Sequence, residues 1–487
     1  MANTLPTALP GTCLVQKFPL EVLLRISYYL PTPDLGRLRL TSRSIEQSLY
    51  TTFVNEFFTR KQFMITQESL QALIDISKSR LSQHLRFVHI GLDCLSSDRT
   101  RLSDEEKEDR FRKRCANNFA LWYTGHHRDM MVEAFRNLKN LEDVVIRDFN
   151  MRHRSRDGPD AEWHSYGYTT VFNETGVKMT HNGSTMWDAG FPYRYPSQVF
   201  AAVIYALGIA QARPRGIKVM STRPKGLRDF AFSIPDFLQP SVVPLLEGLE
   251  KLHLCIDLEW RCLNMGHDEL IYWFESAPHL FIRKFLSHTT NLKSLSINET
   301  TLCEFVGLPV FLDWVVGDLD SQASTDRTKQ GDVVISLPRL EKLSLGTMRI
   351  DAPRLLKIVR KFAPSLKSLK LWKVNMIGGQ ETQPEPESQE IYWDSFLEKL
   401  TEIPGLDLKH FKVSMLKQCW CGRYDSIPIS FRGYGAVCEY VGSDWKRFIG
   451  EIRPLSHLKW LEDKDTTDDE EGSRMPDDED DSTGDDE

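Results

Sequence analysis

The sequence predicts an α/β chain in three parts: a small N-terminal three-helix unit, an irregular α/β solenoid of alternating strands and helices, and a disordered acidic tail. Three observations carry this reading. Apolar residues recur at intervals of four between Phe18 and Phe58, the period of a helix face. From Leu85 onward a strand motif returns: Leu, two residues, an apolar residue, one residue, an apolar residue. Residues 462–487 hold fifteen Asp or Glu against Lys464 and Arg474.

The helical unit comes first. Pro19 suits the first turn of a helix, where its missing N–H costs nothing. Val22, Ile26 and Leu30 follow on one face, and Pro31 and Pro33 are expected to stop the helix. Asp34 is a candidate N-cap for a short second helix carrying Leu35 and Leu38. Thr41 or Ser42 can cap a third, with Ile45, Leu49, Phe53 and Phe57 along its face. Ile26, Leu30, Leu49 and Phe53 read best as internal core; Pro19, Glu21 and Leu35 are harder to explain that way. About forty residues make a small core, and a unit of that size usually needs a partner over its remaining apolar face.

The strand motif occurs at Leu85-Val88-Ile90, Leu141-Val144-Ile146, Leu227-Phe230-Phe232 and Leu249-Leu252-Leu254. It returns at Leu292-Leu295-Ile297, Leu340-Leu343-Leu345, Leu366-Leu369-Leu371 and Leu408-Phe411-Val413. The residues between are mostly polar, as a half-buried strand requires. Amphipathic helices are expected between strands, for example Asp268 to Leu286 and Pro353 to Phe362. Successive first leucines lie 56, 86, 22, 43, 48, 26 and 42 residues apart. The longest gap holds a segment, about 151–222, rich in Gly, His and aromatics, which reads as an insertion with extended loops. Its apolar run Val199 to Ala210 is too short to span a bilayer and predicts a buried helix. Residues 320–332 and 378–390 read as flexible loops.

Charge is unevenly spread. The net charge is −7, yet residues 462–487 carry −13, which leaves the rest at +6. A tail with almost nothing apolar to bury and strong self-repulsion is expected to stay disordered and solubilising. Thr466, Thr467 and Ser482 are weaker candidates for acid-directed phosphorylation. Nine scattered cysteines without a CxxC pair, in a chain this long, point to a reducing compartment. Met1 to Gly11 lacks the basic start and apolar run of a signal peptide. The expected location is the cytoplasm, the nucleus or both.

No Gly-rich phosphate loop, HExxH, GxSxG or EF-hand is present. Cys419, Cys421 and Cys438 have the wrong spacing for a zinc finger. His126, His127, His153, His164 and His181 read as surface or loop histidines, although a cryptic enzyme built on the insertion stays open. Arg152, Arg154 and Arg156 read as a solvated basic loop, with no recognised nucleic-acid motif beside them. The expectation is a non-enzyme with no cofactor, no metal and no membrane segment.

The stretch Phe18-Pro19-Leu20-Glu21-Val22-Leu23-Leu24-Arg25-Ile26 to Leu30, then Asp34-Leu35, Leu38, Leu40-Thr41-Ser42-Arg43 and Ile45, resembles the F-box. It departs from the family pattern at Phe18, where Leu is commonest, and at Ser42, where Cys is common. The resemblance implies docking to the Skp-type linker of a Skp–cullin–F-box ubiquitin ligase, and to cullin through that linker. Its implied contact residues are Pro19, Leu20, Glu21, Leu24, Ile26, Leu30, Leu35 and Leu38. The body resembles the leucine-rich repeats of many F-box proteins, which implies binding of a protein substrate. The usual Asn or Cys after each strand is missing: Asp257, Thr300, Met348 and Val374 stand there. The implied division is a flexible N-terminus 1–15, an F-box 16–60, a leucine-rich-repeat-like solenoid 61–460 with its insertion, and a tail 461–487. An interaction scaffold that binds the linker outside any ligase is the alternative.

Overall fold

The computed structural model describes residues 18–95, 104–150, 155–158, 161, 163–179, 195–222, 226–258, 280–299, 307–317, 335–378, 390–420 and 426–459. The expectations for the N-terminus 1–15, the tail 461–487 and the loop 320–332 lie outside these residues, as do His153, His181 and Cys421.

The chain opens with α1 (Leu20–Tyr29), α2 (Thr32–Leu40) and α3 (Arg43–Phe57). Pro19 is the N-cap of α1. The second helix starts two residues earlier than Asp34. Pro33 does not stop a helix; it sits in the first turn of α2, where a proline loses no hydrogen bond. Ser42 caps α3, its hydroxyl accepting from the Ile45 N–H at 3.2 Å. Leu23, Leu35, Ile45, Leu49 and Phe57 form the buried centre of this bundle, with Leu24, Leu30, Leu38 and Phe53 packed around them.

Fifteen strands follow among the described residues. They are β1 (Arg60–Met64), β2 (Phe87–Gly91), β3 (Asp143–Arg147), β4 (Gly216–Met220), β5 (Lys251–Ile256) and β6 (Ser294–Glu299). Then come β7 (Lys342–Gly346), β8 (Arg349–Asp351), β9 (Ser368–Trp372), β10 (Asn375–Gly378) and β11 (His410–Ser414). The last are β12 (Lys417–Trp420), β13 (Ile427–Phe431), β14 (Val437–Val441) and β15 (Ser456–Leu458).

Ten of them form one sheet in the order β1-β2-β3-β4-β5-β6-β7-β9-β11-β14. Every pairing from β1 to β11 is parallel, and β14 closes the series antiparallel to β11. The register stacks like on like. Phe63, Ile90, Ile146 and Val219 align across β1 to β4. Leu254, Ile297, Leu345, Leu371 and Val413 align across β5 to β11. These inward residues share one apolar core with the intervening helices, among them Tyr195–Ala210 and Ala352–Phe362.

A second sheet, β15-β13-β12-β10-β8, lies after the main strands. It forms because the positions that would carry a polar ladder are apolar here: Met348, Val374 and Leu416 are all buried. Three main strands, β7, β9 and β11, turn through a left-handed residue, Thr347, Lys373 and Met415, into the companion strands β8, β10 and β12.

Two expectations need correction. Leu227-Phe230-Phe232 is not a strand; Asp229–Phe232 is a short 3-10 helix. The sheet position between β3 and β5 is taken by β4, where Pro214 stands in the place of the first leucine and is buried. The expected insertion is therefore narrower than 151–222. The helix Tyr195–Ala210 and β4 belong to the main strand–helix series.

Candidate functional site

The helix α1 is apolar nearly all the way round. Leu23 and Ser27 point into the bundle and are buried. Tyr29, Val22 and Ile26 form a stripe centred about 110° around the helix from them, within about 60° of one another at 100° per residue. Phe18, Leu20, Val22 and Ile26 keep 40%, 47%, 41% and 37% of their surface exposed. Tyr28 and Tyr29 flank them, ring against ring edge at 5.3 Å, and Leu40 of α2 is almost bare. A helix with apolar residues on its solvent side has a face prepared for another surface. Burying one such side chain fully is worth about 1.5–3 kcal/mol.

The predicted contact residues divide into two groups. Pro19, Leu20, Glu21 and Ile26 are exposed. Leu24, Leu30 and Leu38 are half-buried against the bundle centre. Leu35 is enclosed, with 3% of its surface exposed, so it supports the bundle rather than forming its surface. Ile26 is not the core residue its spacing suggested. The ring of inward positions is filled by Leu23 and Ser27, and Ile26 falls outside it. Val22, Tyr28, Tyr29 and Leu40 were missed as surface candidates. The signal for Val22 and Tyr29 was present, since both share the helical stripe of Ile26.

The bundle is joined to the body at three points. At the first, α3 runs directly into β1, and the Thr59 carbonyl accepts from the N–H groups of Arg86 and Phe87, both at 3.0 Å. At the second, Glu46 of α3 accepts from Arg39 at 2.9 Å and from Arg80 at 2.5 Å. The Arg80 guanidinium also lies 4.2 Å over the Tyr50 ring. The third comes from the segment predicted as a solvated loop. Arg156 is half-buried and pairs through Nε and Nη2 with both carboxylate oxygens of Glu56 at 2.5 Å. Its Nη1 donates to the carbonyls of Ser27 and Leu30 at 2.8 and 2.7 Å. Trp163 packs against the bundle, its ring centroid 6.3 Å from that of Phe57.

The same aromatic segment continues onto the outward face of β1 to β3. Gln62 Nε2 donates to Ser165 Oγ at 2.9 Å, Ser165 Oγ donates to Asp93, and Arg147 Nε donates to Gln62 Oε1 at 2.8 Å. His89 lies beside this group, fully buried. Burial first, then the charges of Arg147, Arg60 and Lys218, hold its pKa well below the ordinary imidazole value. Farther along, the outward face is basic, with Lys342, Lys370 and Lys412 on the same face as the half-buried Trp372. Glu439 of β14 accepts from Lys412 at 2.7 Å and His410 at 2.8 Å. Burial raises the Glu439 carboxyl, but these two hydrogen bonds and charges outweigh it and the net direction is down.

The histidine candidates do not converge among the described residues. His127 is buried, bonded to the Leu121 carbonyl and 4.2 Å from the Trp122 ring. His164 stacks on Tyr168 at 3.8 Å. Among the described residues there is no group of three His, Cys, Asp or Glu that could hold a metal ion, and no helix is long and apolar enough to cross a membrane.

Residues 15–49 match the F-box domain. The chain carries an F-box. The match covers α1, α2 and the first half of α3, so the exposed apolar face belongs to this F-box. F-box domains generally mediate binding to Skp-type linkers in ubiquitin ligases. No curated protein matches the chain.

Proposed function

We propose that this protein is a substrate-recognition adaptor of a Skp–cullin–F-box ubiquitin ligase. The F-box takes the linker, and the linker brings the cullin. The body is a leucine-rich-repeat-like solenoid that holds a protein substrate. The observation that carries this reading is the apolar stripe of Val22, Ile26 and Tyr29 on α1, which the body leaves exposed. Apolar anchors at intervals of three and four on one helix are a recurrent way to enter a partner's groove.

The solenoid reading is supported by parallel strands that follow chain order and by the stacked leucines of β5 to β11. The substrate surface is the outward strand face, where Lys342, Lys370 and Lys412 share a face with Trp372; such a surface suits an acidic segment with an apolar residue beside it. The protein contributes no nucleophile. It raises the substrate's effective concentration at the ubiquitin-loaded enzyme. Such work belongs in the cytoplasm, the nucleus or both.

The test is a pull-down of the intact chain with purified linker and cullin. The wild type captures both. A variant combining Leu20→Glu, Val22→Glu and Ile26→Glu keeps its fold and loses both. Undiminished capture by that variant would sink the proposal. Capture of linker without cullin would point to a scaffold acting outside the ligase.

A further inference from the structure

The F-box helices are held unequally. The third is continuous with the body through Thr59 and β1. The first two, which carry the exposed apolar stripe, pack on α3. Among the described residues, four hydrogen bonds reach them from the body, and all four come from Arg156 and Asp157.

The chemistry of those bonds is specific. Helix α1 ends at Leu30 with no acidic or basic side chain of its own to meet its last carbonyls. Arg156 Nη1 binds two of them, those of Ser27 and Leu30, and places a positive charge at the negative end of the helix. Helix α2 begins after Pro31, which has no side-chain acceptor to cap it. Asp157 supplies the cap from elsewhere in the chain. Its Oδ1 accepts from the Thr32 N–H at 2.8 Å and its Oδ2 from Thr32 Oγ1 at 2.7 Å, with a negative charge at the positive end of the helix. The remaining donors of Arg156 clasp Glu56 of α3. Two adjacent residues thus cap the end of one helix and the start of the next, and tie both to the third.

We propose that Arg156 and Asp157 form a trans-capping lock that fixes the angle of the linker-binding helices relative to the substrate-binding body. The lock rests on the adaptor reading for its purpose, but its geometry is independent of it. An adaptor must hold its two partners at a set distance, so a bundle free to pivot about α3 would still bind linker and yet present the substrate loosely. These bonds join residues 125 or more positions apart in sequence, so the F-box and the body are not joined as beads on a linker.

The experiment uses the full chain with dyes on non-canonical residues at positions 25 and 360, both exposed. Single-molecule energy transfer reads the distance distribution, and unlabelled protein is titrated with purified linker. The wild type gives one narrow distribution. Arg156→Ala and Asp157→Ala broaden it at least about twofold, while linker affinity stays within about threefold of wild type. Thr32→Val, which removes one of Asp157's two donors, falls between. A distribution as narrow in Arg156→Ala as in wild type overturns the lock. So does loss of linker binding in Arg156→Ala with an unbroadened Thr32→Val, because Arg156 would then be needed only for the bundle to fold. If wild type fails to bind linker while the variants broaden, the adaptor reading fails and the lock stands.

Discussion

Thr347 and Lys373 turn the chain at the same point of two consecutive strand–helix units, with φ of 51° and 50°. Their amides donate to the next strand, Thr347 to the Trp372 carbonyl and Lys373 to the Ser414 carbonyl, both at 2.8 Å. The left-handed corner is therefore required by the ladder, and neither side chain favours it. Thr347 is the worse case, because it is β-branched and its buried hydroxyl finds no partner among the described residues. Thr347→Gly is expected to raise stability by about 1 kcal/mol. Lys373→Gly gains less, since it gives up the ammonium 4.7 Å over the Trp372 ring. Urea midpoints decide the order; a loss of stability in Thr347→Gly would show that its methyl packing outweighs the strain.

The main strands were largely legible from their leucines, because a strand buried on one face must repeat apolar residues at every second position. Seven of the eight motifs lie on strands, at β2, β3, β5, β6, β7, β9 and β11. The misses have physical causes. Pro214 fills a leucine's position before β4, and a proline reads as a break even when it is buried. The Leu227 motif imitates a strand because its buried residues, Leu227, Ala231 and Phe232, pack into the same core from a 3-10 turn. The companion strands β8, β10 and β12 were hidden because Met348, Val374 and Leu416 look like loop residues when a polar ladder is expected.

The exposed apolar face was less legible. A four-residue period says which residues share a face, not which face turns inward. Leu35 and Ile26 exchange the roles expected of them, and the consequence can be measured. Leu35→Ala empties a buried site and is expected to cost about 2–5 kcal/mol. Ile26→Ala removes a side chain that is 37% exposed and is expected to change stability by less than about 1 kcal/mol. Linker binding should respond in the opposite sense once protein is confirmed folded by circular dichroism. Equal destabilisation by the two variants would mean that Ile26 is packed inside the bundle.

The sequence places Arg156 in a solvated loop because three arginines spaced by two residues have no internal partner in sequence. Its partners lie 100 to 129 positions away, at Glu56, Leu30 and Ser27. The same holds for Ser165, 103 positions from Gln62. Ser165→Ala takes an acceptor from the buried Gln62 amide and a donor from the Asp93 carboxylate. A buried polar group that loses its partner costs about 1–3 kcal/mol, and that is the expected destabilisation. A change below about 0.5 kcal/mol in denaturant unfolding would mean that water or another group replaces the hydroxyl.

His89 sets a pH dependence on the fold. It stands on the outward face of β2 between Gln62 and Val145, buried, with Arg147, Arg60 and Lys218 near enough to oppose its protonation. In the unfolded chain the imidazole titrates near 6.5. In the folded chain its pKa is well below that value, so the unfolded state binds the proton first. The contribution to stability is complete above the unfolded value and falls away as the pH drops through and below it, approaching about 1.4 kcal/mol per pH unit. His127, lowered chiefly by burial, adds in the same direction. Glu439 acts only in more acid solution, because a lowered carboxyl loses its contribution as pH falls through the carboxylate range. Unfolding free energies measured between about pH 7.5 and pH 5 should therefore decline, and His89→Gln should flatten part of that decline. An unchanged slope in His89→Gln would show that the imidazole binds its proton equally in the folded and unfolded chain, and a steeper decline that the fold holds it protonated.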